Sequence, residues 1–192
     1  MAVPQGALGS WKIRSIVGNM FPLLVVLSVI VLWAGITLED AEELLEQYRI
    51  LAVMVPTMVG IGGNLGAILS SRLSTRLHLG TTEFDPRDRD LWANVGAILA
   101  LAATIFTALA IGAYLLGKAV GSALPLTTLL TISLISGLSV AVIAIAFSFA
   151  TTYASYHLGI DPDDTTIPIV TNVVDVFGMV IFIGVSALVL GF

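Results

Sequence analysis

The sequence predicts an all-α integral membrane protein with five transmembrane helices per chain. Three observations lead there. The first is the balance of side chains: 57% of the 192 residues are hydrophobic and 11% are charged, with a mean hydropathy of +1.02. A soluble domain carries about 25% charged residues, so too little polar surface exists here to cover a water-facing fold. The second is spacing. Five mostly apolar segments, near 17–36, 50–71, 92–115, 126–150 and 168–190, each reach the length of about 20 residues that a helix needs to cross the hydrocarbon core. None shows the ten-residue alternation of a barrel strand. The third is the placement of basic residues. Lys12, Arg14, Arg72, Arg76, Arg87 and Arg89 fall on one side of a five-span arrangement, and Arg49 and Lys118 on the other. The positive-inside rule then puts the N-terminus in the cytoplasm and the C-terminus outside.

The same counts exclude several chemistries. With no cysteine, disulfides, thiolate metal sites and cysteine nucleophiles are ruled out. Two histidines argue against a multi-histidine zinc site. A net charge of −5 without a basic stripe argues against a nucleic-acid partner.

The elements follow in order. Residues 1–16 are expected to be a short cytoplasmic segment, and 17–192 the five-span domain. Span 1 follows Lys12 and Arg14 but is long and lacks a small-residue cleavage site, so it reads as a retained anchor rather than a signal peptide. Residues 37–49 hold Glu39, Asp40, Glu42, Glu43 and Glu46, and the recurrence of Leu44, Leu45 and Tyr48 predicts a short helix running into span 2. Span 2 contains Pro56, Gly60, Gly62, Gly63 and Gly66, which weaken a helix, and irregular backbone is expected there. Such backbone survives at membrane depth only in protein contact or beside water. The glycines then either let helices pack closely or line a pathway. Residues 72–91 read as a mixed-charge cytoplasmic loop with a turn at Asp85–Pro86. Residues 157–167, with Asp161, Asp163 and Asp164, read as a short acidic loop, and Pro168 as the start of span 5. The acidic loops are either ordinary solvated loops or a means of raising local cation concentration.

Of thirteen acids, only Asp175 lies inside a span. An ionisable group at that depth costs about 2.5–3.5 kcal/mol on insertion scales and usually faces a cavity or a partner. No lysine or arginine lies within a span to pair with it. A protonated carboxyl hydrogen-bonded between helices is one reading; a cation or proton site is the favoured one, and a catalytic role is a third. Depth connects Asp175 with Asn64. Asn64 lies eight residues before Arg72 and Asp175 eight residues after Ile167, so each sits about 12 Å in from the same flank. Thr171 is one turn before Asp175 on the same face, and Gly178, three residues on, leaves that face uncrowded. Oxygen ligands without histidine or cysteine suit a hard cation. One carboxylate with amide, hydroxyl and backbone oxygens suits a hydrated magnesium ion better than an all-protein calcium cage.

The stretch PTMVGIGGNLGAILSSRLSTRLHLG, residues 56–80, resembles the MgtE family of magnesium transporters, as does DPDDTTIPIVTNVVDVFG, residues 161–178. The acidic stretch before span 2 and the five spans agree. The resemblance implies a homodimer, or two fused copies as in the eukaryotic solute-carrier relatives, with the pore at the dimer axis lined by spans 2 and 5. It implies that Asp175 holds a hydrated Mg2+ ion, with Asn64 and Thr171 beside it as metal-site residues. Gly60, Gly63, Asn172 and Gly178 are then expected to line the pore. Only sixteen residues precede span 1, so the family's cytoplasmic sensor of cystathionine-β-synthase type is expected to be absent from this chain.

The expected function is therefore transport of divalent cations, Mg2+ first and Mn2+ or another divalent ion as alternative cargo, by a multi-pass protein of the plasma membrane. The lipid bilayer and a second copy, or a different second half, are the expected partners. An exporter coupled to protons or sodium is the alternative. An intramembrane aspartyl enzyme assembled by dimerisation is more distant, because one chain has no second buried acid. The protein is expected not to be an enzyme.

Overall fold

A computed structural model describes residues 13–80, 87–122 and 124–192. Lys12 and the turn expected at Asp85–Pro86 lie outside the described residues, as does most of the N-terminal segment. The described chain is helical: α1 (Ile13–Asp40), α2 (Glu42–Gln47), α3 (Arg49–His78), α4 (Arg89–Val120), α5 (Leu126–His157) and α6 (Pro162–Leu190). All but α2 are long and apolar enough to cross a membrane. The five expected spans are thus present.

The helices run beyond the apolar segments. α3 has 30 residues, about 45 Å at 1.5 Å per residue, against about 30 Å of hydrocarbon. Arg72 and Arg76, expected in a loop, therefore sit on the last turns of α3. A carbonyl leaving the membrane is still best satisfied within its own helix, so polar flanks continue the helix into the interface. α4 begins where Asp88 caps it, its carboxylate accepting from the Asp90 backbone N–H at 2.8 Å. It ends at Gly121, whose φ of 72° is a left-handed conformation that glycine adopts without strain.

Three local expectations are corrected. Span 2 is not irregular: α3 is one continuous helix through Pro56 and all four glycines. Packing supplies what propensity lacks, since Met54, Met58, Leu65 and Leu69 are nearly inaccessible on its inner face. The short helix expected in residues 37–49 is present as α2, but it does not continue into α3, and Glu39 and Asp40 belong to the end of α1. Tyr48, at φ −120° and ψ 69°, breaks the helix, and α2 stands as a separate turn-and-a-half held by buried Leu44. Finally, Pro168 does not begin span 5. Pro162 takes that first helical position, and Asp164 falls in the first turn, where an acid complements the helix dipole. Pro168 lies inside α6, and its missing N–H withholds the usual bond from the carbonyl four residues earlier.

α3 and α5 are the central helices, and α6 packs against both as well as α1. α1 is peripheral and largely exposed, with Leu32 77% and Trp33 75% accessible. Phe106 of α4 fills a groove that Gly137 opens in α5; a Cβ at Gly137 would collide with Cδ2 and Cγ of the ring. In lipid, the aliphatic surface of α1 needs no cover. Helix association rests on close packing and on hydrogen bonds between helices. Ser70 donates to Ser148 at 3.0 Å, Ser148 to the Gly66 carbonyl at 3.3 Å, and Ser133 to the Phe106 carbonyl at 2.7 Å.

Candidate cation site

The seam between α3 and α6 is built by glycines. A Cβ on Gly62 would stand 2.6 Å from Val140 Cγ1 and 2.7 Å from Val174 Cγ1, and one on Gly66 2.5 Å from Val170 Cγ1. Gly62 and Gly66 are four residues apart, as are Val170 and Val174, so valines of one helix seat in the bare turns of the other. This contact sets the relative height and rotation of α3 and α6.

That register brings Asp175 to Gly63. A Cβ on Gly63 would lie 3.5 Å from Asp175 Oδ1, 3.7 Å from Thr171 Cγ2 and 3.8 Å from Thr171 Cβ. Asp175 and Thr171 thus occupy one face, one turn apart, and both meet α3 one residue from Asn64. The carboxylate is half-buried and Asn64 is exposed. Among the described residues, neither side chain takes part in a hydrogen bond or ion pair. Thr171 donates its one hydroxyl hydrogen to the Ile167 and Pro168 carbonyls, at 2.9 and 3.1 Å, which leaves oxygen lone pairs. Asn172 Nδ2 donates to the Pro168 carbonyl at 2.8 Å, which leaves its amide oxygen. Oxygen acceptors are thus left over from Asp175, Thr171 and Asn172, and Asn64 offers both its amide oxygen and its Nδ2.

The glycines named from sequence separate into two kinds. Gly60 has nothing within 4 Å of a Cβ position and lies with Thr57 and Asn64 on one exposed face of α3. Gly63 is buried against Asp175 and Thr171. Gly178 is buried too, and its Cβ would make ordinary contact with Val140 at 3.7 Å and Val59 at 3.8 Å. Sequence reasoning left packing and a pathway open for the α3 glycines together; it did not single out Gly62 and Gly66 for packing or find their valine partners. The four-residue spacing of small residues in α3 and of valines in α6 is the signal that was available.

Among the described residues, no three of His, Cys, Asp or Glu gather closely enough to hold a metal. Asp175 is the carboxylate that the described residues bring to this face.

Five apolar helices among the described residues, with a carboxylate that meets α3 one residue from an exposed amide, have the build of a multi-pass membrane transport protein. The sequence profile of the MgtE family, described as divalent cation transporter, matches residues 55–185, about two-thirds of the chain. The chain belongs to that family, which is one of transporters and not of enzymes. It is similar to solute carrier family 41 member 3 of Mus musculus, 27% identical over 149 aligned positions that cover 69% of this chain and 30% of the mouse protein. The Rattus norvegicus protein of the same name matches at 27% identity, with 69% of this chain and 32% of the rat protein covered. The chain spans about a third of the length of these curated relatives.

Proposed function

We propose that this chain transports divalent cations, Mg2+ foremost and Mn2+ or others as alternative cargo, through a pore between two copies. α3 and α6 line the pore, and a hydrated ion rests at Asp175. The observation that carries this is the exposed face of α3. Thr57, Gly60 and Asn64 stand exposed along α3, and the Asp175 carboxylate meets the same helix at Gly63, one residue from Asn64. An amide and a carboxylate facing hydrocarbon would each cost several kcal/mol, roughly, so this face belongs against water or protein. A second copy related by a two-fold axis encloses it.

One carboxylate per chain decides the mode of binding. Two facing Asp175 side chains supply two charges, enough to attract a divalent ion and too few ligands to strip it. Magnesium sheds water reluctantly, and one or two carboxylates with retained waters is its usual arrangement. Asn64, Thr171 and Asn172 offer oxygen acceptors to those waters, and Gly60 and Gly63 leave room for them. Gly178 serves the seam that holds Asp175 in place.

The six-to-two bias of basic residues supports a cytoplasmic N-terminus and an external C-terminus, with Arg72, Arg76, Arg87 and Arg89 at the cytoplasmic end. Residues 17–192 act as the transport domain, in the plasma membrane. Titration calorimetry with Mg2+, Mn2+ and Ca2+ tests the site. Binding by the wild type and its loss in Asp175→Asn are expected, and equal binding by both proteins defeats the assignment.

A further inference from the structure

The end of the bundle away from α2 carries a second polar feature, a cleft of about 480 Å³ between the last turns of α3 and the first of α4. Ser71, Arg72, Thr75 and Arg76 line it from α3, and Asp90 and Asn94 from α4. The two arginines are not floppy. Arg76 Nη2 is 2.9 Å from Asp90 Oδ2. Arg72 Nη1 donates to Asn94 Oδ1 at 3.1 Å, and Asn94 Nδ2 is itself tied to the Asp90 carbonyl at 2.8 Å. Asp90 is fixed in turn by the Asp88 cap.

The two arginines do not end up in the same electrical state. Arg76 faces a carboxylate, whereas the only acceptor that holds Arg72 among the described residues is a neutral amide. The guanidinium of Arg72 has no carboxylate set against it among the described residues and, after one bond, still has donors to give. Ser71 stands beside it, and both are exposed toward the cleft. A rigid guanidinium fork with a hydroxyl neighbour matches phosphate oxygens in geometry and charge. Depth matches as well. Arg72 is eight residues from Asn64 along one continuous helix, about 12 Å; from mid-depth that ends about 3 Å short of the edge of a core of about 30 Å, a gap the long arginine side chain spans to the headgroups.

We propose that this cleft binds a phosphate group, that of an anionic phospholipid headgroup, with Arg72 as its principal ligand and Ser71 as a second donor. The binding ties the α3–α4 end of the bundle to the membrane surface. It depends on neither Asp175 nor ion passage.

Native mass spectrometry of the purified protein tests it. The protein is released from phosphatidylcholine nanodiscs doped with phosphatidylglycerol, and from phosphatidylcholine discs soaked in inorganic phosphate. Wild type is compared with Arg72→Gln, with Ser71→Asp, which leaves the arginine and repels the ligand, and with Arg49→Gln at the opposite end. Loss of one charge-assisted contact lowers retention about tenfold. Phosphatidylglycerol retained by wild type and Arg49→Gln, and about tenfold less by the two cleft variants, is the expected result. Inorganic phosphate retained with the same variant pattern assigns the cleft to a soluble phosphate and supports the chemistry while overturning the lipid source. Equal phosphatidylglycerol retention by all four proteins, with no phosphate bound, overturns the proposal.

Discussion

One methyl group measures the tightness of the α3–α6 seam. At Gly66 an added Cβ would stand 2.5 Å from Val170 Cγ1, a carbon on a β-branched side chain with little freedom to turn aside. Gly66→Ala is therefore expected to lower stability by about 1–3 kcal/mol, the usual cost of overpacking. Thermal unfolding in detergent checks this, and Gly66→Ala combined with Val170→Ala should recover most of the loss. Gly60→Ala, by contrast, meets open space and should leave the unfolding temperature within error. Two glycines six residues apart thus give opposite forecasts. That division was not legible in the sequence. On a helix that is apolar nearly all round, composition does not reveal which side faces a neighbour. The position of Asp175 was more legible, because its depth follows from residue counting and a fixed rise. What counting could not supply is that Gly63, and not Asn64 itself, meets the carboxylate.

At the scale of elements, apolar length predicted five spans, and five helices of that kind are present among the described residues. The ends were less legible, because α3, α5 and α6 continue through polar residues that hydropathy assigns to loops. Pro168 misled for a related reason: proline marks a helix start only when nothing upstream can serve, and here Pro162 does. Between elements, the hydroxyl bonds carry a forecast of their own. The Ser70–Ser148 bond joins α3 to α5 at a fully packed position. A double-mutant cycle to alanine should give a coupling of about 0.6 kcal/mol, and not above about 1.7, the range for hydrogen bonds between membrane helices. A coupling near zero would mean that the two hydroxyls find other partners.

At the scale of the molecule, the proposed pore places a second copy against the exposed face of α3, while α1 carries aliphatic and aromatic side chains suited to lipid. The absence of native cysteine makes this testable without background. A cysteine at Gly60, where a side chain has room, should join two chains through a short thiol-reactive linker in membranes. A cysteine at Leu32, 77% exposed on α1, should not. The reverse pattern would move the interface to α1 and leave the Asp175 face without its partner.

The central claim is that Asp175 passes a divalent cation across the membrane. Mg2+ uptake into proteoliposomes, read with an enclosed magnesium dye, tests it most directly when wild type and Asp175→Ala are reconstituted at equal protein. Wild type should carry Mg2+ well above protein-free vesicles. Asp175→Ala should fall to the protein-free rate while still cross-linking through Gly60→Cys. Uptake by Asp175→Ala at the wild-type rate would contradict the account.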